Sequence, residues 1–541
     1  METLLEKAAE WASGLRFEEL PPRVIEKSKW QLLSTMAALY SGYPLRAVRS
    51  LREIALSTRA QGRSRVFPQG DRTSPTVAVV ANSAASMALE YDDYLFCGHT
   101  GHSAVLATLA LAEELGASGR QFLVAQTAAN EIGGRLGAAV MLGPQNGQLW
   151  TFLHGVCAAT AAGKLLELNA RMLAHALALV LYQPPLALWP GFFGGDSKLL
   201  SAAFPARDGI LAARAAAWGL SGRLDILENS RGFGAGFARL FLGDMLDAFG
   251  RAWVSDTISI KTVPGCAYLT AAVQAMEEAL DRFRAETGRP LEPADVIEAR
   301  VRVNLLGIAM DSLSRENGSP LGRTGGMNFS LPYCLAAVML AGGLTPAELG
   351  EEWISKNAEQ LEAAAARVRV IHDWELTLKL FEEWSAHFPL SGWLRQLGLK
   401  NLLRQIPGAE HLQPGRLPQA AGSLGKLLLR QLRREVLDRK SPAPAAFSLE
   451  RAGLERLSMP FAAQVELQLR RRRQISARVD IPAGAAGRPV EETRGLVRRK
   501  FRLAARPFLG EERTEKALEL ISRLEELETL EELGRLLCVP D

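Results

Sequence analysis

Residues 103–135 read SAVLATLALAEELGASGRQFLVAQTAANEIGGR. Alanine, leucine and valine recur on more than one face of any helix drawn through this stretch. Such a helix has no side to give to water and is surrounded by other helices. Ser103 is the expected N-cap of the first segment, Gly116 its expected stop, and a second helix begins at once. Connections this short predict a compact helical bundle.

The same texture extends from residue 1 to about 260, for example in HGVCAATAAGKLL (154–166). The apolar stretch MLAHALALVLYQPPLALW (172–189) is interrupted by Pro184 and Pro185, well short of the roughly 20 residues a membrane span needs. The opening METLLEKAAEWASGL mixes acidic and apolar residues at helical spacing, so it is not read as a secretory leader. The expected location is the cytoplasm, with no membrane association.

Beyond about 265 the period changes. VIEARVRVNLL (296–306), AARVRVI (365–371) and QVELQLRRRRQISARVDIP (464–482) alternate apolar and polar residues as half-buried strands do. The expected fold class is mainly α with a smaller α+β domain: a large all-helical bundle and a second domain with a small sheet. The expected division is 1–262 for the helical domain, completed by 500–541, and 263–499 for the α+β domain. Residues 375–455 return to amphipathic helix inside that second domain and read as an insertion, with KSPAPAAFS (440–448) as a linker. The final TEKALELISRLEELETLEELGRLL (514–537) reads as an amphipathic surface helix.

A chain of 541 residues exceeds one compact core. With 63 basic against 59 acidic residues it has no field that selects nucleic acid. The run Arg470–Arg473 lies between two strand-like segments and reads as a solvated hairpin turn. Five cysteines without a CxxC pair support neither structural zinc nor a disulfide framework.

The polar chemistry gathers in EYDDYLFCGHTGHS (90–103). His99 and His102 stand at i, i+3 beside the start of a helix, with Asp92 and Asp93 just upstream. Two histidines so spaced can share a metal, but the ligands follow no established zinc spacing, and no metal is expected. The preferred reading is a proton-transfer histidine near a helix N-terminus, whose N–H groups around Ser103 dock a carboxylate. Two further candidates are Lys198, in GFFGGDSKLL, able to pair with a carboxylate or an enolate-like charge, and Tyr333, in FSLPYCLAAVML, able to serve as an acid. RGFGAGF (231–237) has no strand before it and is not read as a dinucleotide loop.

These segments, in their order, resemble the MmgE/PrpD family, which includes 2-methylcitrate dehydratase, cis-aconitate decarboxylase and iminodisuccinate epimerase. The likeness is carried by ALEYDDY, HTGHSAVLATLALAEELGASGR, NEIGGRLG, GKLLELN, GGDSKLLSAAFPARDGI, GLSGRLDILENSRGFG, IKTVPGCAYLTAAV, FSLPYCLAAVMLAGG and RRKFRLAA. It implies a large helical domain completed by the C-terminal helix, a smaller α+β domain, a homodimer and no cofactor. It also implies that His99, Lys198 and Tyr333 are active-site residues. Glu90 and Tyr94 stand where the resemblance places an aspartate and a threonine, while Gln148 and Thr270 stand where it places two further histidines. Glu90, Tyr94, Ser103, Gln148 and Thr270 are therefore expected to shape the substrate pocket. His102, ahead of His154, is the expected stand-in for a lost histidine.

The activity expected first is that of a hydro-lyase acting on a 2-methylcitrate-like hydroxy acid. Carboxylates would dock at Lys198 and at the helix N-terminus near Ser103. His99 or His102 would move the proton, Tyr333 would donate one, and Asp92 and Asp93 would orient the histidines or a water. Decarboxylation of a cis-aconitate-like acid or epimerisation of a small dicarboxylate would use the same groups. A non-catalytic carboxylate-binding protein is the alternative of another class.

Overall fold

The structure, a computed structural model, describes residues 2–540 apart from 144–145, 324, 391, 394–395 and 398–446. Most of the expected insertion at 375–455, and most of the KSPAPAAFS linker, lie outside the described residues. The chain forms two compact units, one of Met1–Thr262 with Pro489–Asp541 and one of Val263–Arg488. The chain returns to the first unit with helix Val490–Ser522. The fold is mainly α with a smaller α+β part.

In the first unit, helices Pro22–Gly42, Pro75–Met87, Gly119–Ala139, Leu153–Leu165 and Leu200–Ala217 make the bundle. Gly119–Ala139 is buried on nearly every face, as its composition requires. A capping box at its start has Ser118 Oγ accepting from the Gln121 N–H while the Gln121 side chain reaches back. Gly209 lets Leu200–Ala217 cross close to Leu153–Leu165, because a Cβ there would collide with the Gly155 carbonyl. Gly116 ends helix Leu106–Leu115 in the left-handed region at φ 67, where glycine carries no steric penalty.

Ser103 is not the N-cap expected of it. The helix starts a turn earlier as Gly101–Ala104, and the Ser103 N–H and Oγ are both directed at the Thr100 carbonyl, at 3.0 and 3.2 Å. The C-terminal segment docks on its own unit: Leu518, Ile521, Leu524, Leu533 and Leu537 are buried, and Tyr40 donates to the Leu537 carbonyl at 2.6 Å.

The second unit holds a four-stranded sheet in the order Gln474–Val479, Ala463–Leu469, Val296–Val303, Val368–His372. The first three strands run antiparallel and the last pairs parallel to Val296–Val303. Ala463–Leu469 alternates buried and half-buried residues without a break, the period-two pattern of its sequence. Arg470–Arg473 form the hairpin turn, with Arg471 and Arg472 at positive φ. All five cysteines are buried and none forms a disulfide among the described residues. Among the described residues no helix is long and apolar enough to cross a membrane.

Candidate active site

The loop that leaves helix Pro75–Met87 carries the site. Glu90 turns the chain through the left-handed region at φ 51, and residues 93–94 then pair antiparallel with 259–260. This pairing sets Lys261 beside the segment, its N–H donating to the Asp92 carbonyl at 3.2 Å. Gly101 allows the next turn to close over Asp93, since a Cβ there would collide with Asp93 Oδ1.

Asp92 is the centre. Its Oδ2 lies 2.7 Å from His99 Nδ1 and 3.1 Å from His102 Nε2, while Lys261 Nζ donates to its Oδ1 at 2.6 Å. Burial works against the charge, but Lys261, His99 and His102 hold this carboxyl well below the usual range. Glu90 bridges the two lysines, with Oε1 3.1 Å from Lys198 Nζ and Oε2 3.1 Å from Lys261 Nζ. Burial again opposes ionisation, yet Lys198 and Lys261 bring Glu90 down to about 2. Lys198 is itself lowered by burial, with Glu90 acting in the other direction. The Glu90 side of the pair is therefore ionised.

The two histidines differ in access. The His99 side chain is 22% exposed, against 0% for His102, 4% for Lys198 and 0% for Lys261. An ionised Asp92 can only accept, so the proton of a neutral His99 sits on Nδ1 and its Nε2 carries a lone pair. His102 is enclosed, with Nδ1 2.8 Å from Ser86 Oγ and Nε2 3.1 Å from Asp92 Oδ2 without hydrogen-bond geometry. Of the two, only His99 can meet a molecule arriving from solvent.

The other expected residues fall into place around this core or away from it. Asp93 faces neither histidine's nitrogens; it accepts from Gln31 Nε2 at 2.8 Å and Thr35 Oγ at 3.2 Å, and burial together with Asp92 raises its carboxyl. Ser103 is fully buried, 3.2 Å from His154 Nδ1, and its committed N–H offers no carboxylate dock at a helix N-terminus. His154 lies behind His102 with the rings tilted and their centroids 5.7 Å apart, and burial pushes it well below the ordinary histidine range, so it is neutral. Tyr94 is buried with its ring 6.3 Å from that of His99. Gln148 is half-buried in the short strand Gly147–Gln148, its carbonyl accepting the Thr151 hydroxyl. Thr270 starts helix Thr270–Thr287 and Tyr333 lies in helix Leu331–Ala341, both in the second unit.

Two lysines were missed at the level of sequence. Lys261 and Lys500 both stand inside segments that carry the family likeness, IKTVPGCAYLTAAV and RRKFRLAA, and each is a charge beside apolar residues. That placement was the available signal. Lys500 Nζ, lowered to about 7 by burial, is surrounded by four oxygens.

Ligand atoms of Glu90, Asp92 and His99 lie within 4.8 Å of one another, the donor set of a small metal site. Lys198 and Lys261 already neutralise both carboxylates, and a divalent ion there would face two ammonium groups. The residues do not fit a metal. An apolar groove of about 1050 Å³ runs along Phe192, whose ring lies 5.8 Å from Lys198 Nζ, but neither Asp92 nor His99 lines it.

Together these contacts place a buried carboxylate against a reachable histidine, with two lysines behind. Residues 6–241 match the family model of the MmgE/PrpD N-terminal domain. That match falls where many of the motifs carrying the resemblance lie. It is 28% identical over 294 residues to a cis-aconitate decarboxylase of Aspergillus terreus, an alignment covering 50% of this chain and 59% of that protein. The cis-aconitate decarboxylases of Homo sapiens and Mus musculus are each 26% identical, over 64% and 55% of this chain and 72% and 63% of their own. The chain thus spans about three fifths of the length of the Aspergillus relative.

Proposed function

We propose that this chain is a cofactor-independent lyase acting on a small carboxylate, and that its reaction is the decarboxylation of a cis-aconitate-like acid. The observation that carries the reading is the 2.7 Å contact of His99 Nδ1 with Asp92. The names of the relatives rank decarboxylation above the dehydration expected first from the sequence.

In this reaction a carbon–carbon bond breaks, carbon dioxide leaves, and the electron pair spreads onto the remaining unsaturated carboxylate until a proton reaches carbon. His99, charged at Nε2 and steadied by Asp92, supplies that proton. Lys198 and Lys261 place positive charge behind the site, where the developing negative charge needs it. Tyr333 is carried as an acid on motif alone and is tested by Tyr333→Phe. Dehydration remains the second reading, because a neutral His99 Nε2 is equally a base.

Purified protein incubated with cis-aconitate and 2-methylcitrate in heavy water, followed by NMR, tests the proposal. Loss of carbon dioxide with one deuterium on the product carbon supports it. Water loss from the hydroxy acid returns the hydro-lyase, exchange without net product indicates an epimerase, and binding without turnover indicates a non-catalytic protein. The homodimer implied by the resemblance is proposed alongside, and light scattering on the eluted protein decides it.

A further inference from the structure

Helix Val490–Ser522 sends one lysine into the middle of the first unit. Lys500 is 3% exposed, with Nζ 2.6 Å from the Tyr91 carbonyl oxygen, 3.2 Å from that of Asp92, 2.9 Å from that of Lys261 and 2.8 Å from Ser34 Oγ. The Tyr91 ring covers it at 4.1 Å. An ammonium has three N–H groups and a neutral amine two, so these four acceptors favour the charged form against the burial that lowers it to about 7.

A cation at this depth is costly unless its donors are met, and a methionine of similar length would fill the same space without that cost. What the charge holds is therefore informative. Three of its four partners are main-chain carbonyls, and they belong to the segments that carry the chemistry. Tyr91–Asp92 leads to the carboxylate that orients His99, and Lys261 supplies the ammonium on that carboxylate's other oxygen. Glu90, immediately upstream, adopts φ 51, a conformation that a residue with a side chain keeps only when its surroundings fix it.

We propose that Lys500 is a positioning residue, an ammonium clip that fixes the Tyr91–Asp92 and Lys261 backbones so that the Asp92 carboxylate meets His99 and Lys261 at once. Its effect on turnover rests on the lyase reading; its effect on the His99–Asp92 hydrogen bond does not. The clip joins residues 34, 91, 92 and 261 to residue 500, which makes the C-terminal helix part of the site's framework.

The test compares full-length wild type, Lys500→Met and Lys500→Arg by cis-aconitate kinetics and by low-field proton NMR. Lys500→Met is expected to fold and to keep KM within about twofold while kcat falls about 100-fold, the loss a misplacement of about 1 Å produces. Lys500→Arg, which keeps the cation and its donors, is expected to recover part of kcat. The His99 Nδ1 proton, assigned by its disappearance in His99→Gln, is expected to lose its low-field resonance in Lys500→Met. Wild-type kcat in a folded Lys500→Met, or equal losses in both variants with an unchanged resonance, overturns the proposal. If Lys500→Met does not fold, Lys500→Gln takes its place with the same expectations. If the wild type acts on no small carboxylate, the lyase reading fails and the resonance alone decides the clip: its loss in Lys500→Met supports it and its retention overturns it.

Discussion

Asp92 offers a single oxygen, Oδ2, to His99 at 2.7 Å, and the same oxygen faces His102 at 3.1 Å. One carboxylate thus fixes a reachable ring and a buried one, which assigns them different work.

His102, confined between Asp92 and Ser86, acts through Asp92. His102→Gln is expected to lower kcat about tenfold with KM unchanged, a smaller loss than a proton carrier of the reaction produces. Steady-state kinetics of the two single variants, His99→Gln and His102→Gln, check the order.

Glu90 holds two ammonium groups that would otherwise be buried and uncompensated. Glu90→Gln keeps the shape and removes the charge, so it is expected to destabilise the fold by about 3 kcal/mol, the range for breaking a buried pair from one side. Urea unfolding at neutral pH measures this, and an unchanged midpoint would count against the ion bridge.

Gly101 gives a purely steric prediction. A methyl group there meets Asp93 Oδ1 and Thr35 Oγ1. Gly101→Ala is expected to cost about 1–3 kcal/mol, the usual penalty of overpacking, measured by thermal melting.

His154 and Glu90 set the acid side of stability. Both have folded-state values below their ordinary ones, His154 through burial and then through His102 and His99, and Glu90 through its two lysines against burial. In each case the unfolded chain binds a proton that the folded chain refuses, so stability falls as pH falls. The His154 contribution is present above about 6.5 and is lost below it; the Glu90 contribution is lost between about 4.5 and about 2. Urea midpoints at pH 7 and pH 5 are expected to drop for the wild type and to drop less for His154→Gln.

Much of the helical architecture was legible because buried helices must be apolar all round, and residues 103–135 are. The Ser103 cap was misread for a local reason: Thr100 and Gly101 can start the helix a turn sooner, and a serine three residues on looks the same from sequence. The preference between His99 and His102 was not legible, since it depends on which ring Asp92 and Ser86 enclose. Lys261 and Lys500 were hidden among 63 basic residues. Three of the four partners of Lys500 are carbonyls as far as 409 residues away in the chain, and main-chain acceptors leave no mark on composition.

The central claim is that His99, oriented by Asp92, moves the proton. It is tested most directly by following cis-aconitate in heavy water by NMR with wild type and His99→Gln. The account predicts release of carbon dioxide and one deuterium on the product carbon in the wild type, with a loss of about 10²- to 10⁴-fold in His99→Gln. A folded His99→Gln that decarboxylates and incorporates deuterium at the wild-type rate would contradict it.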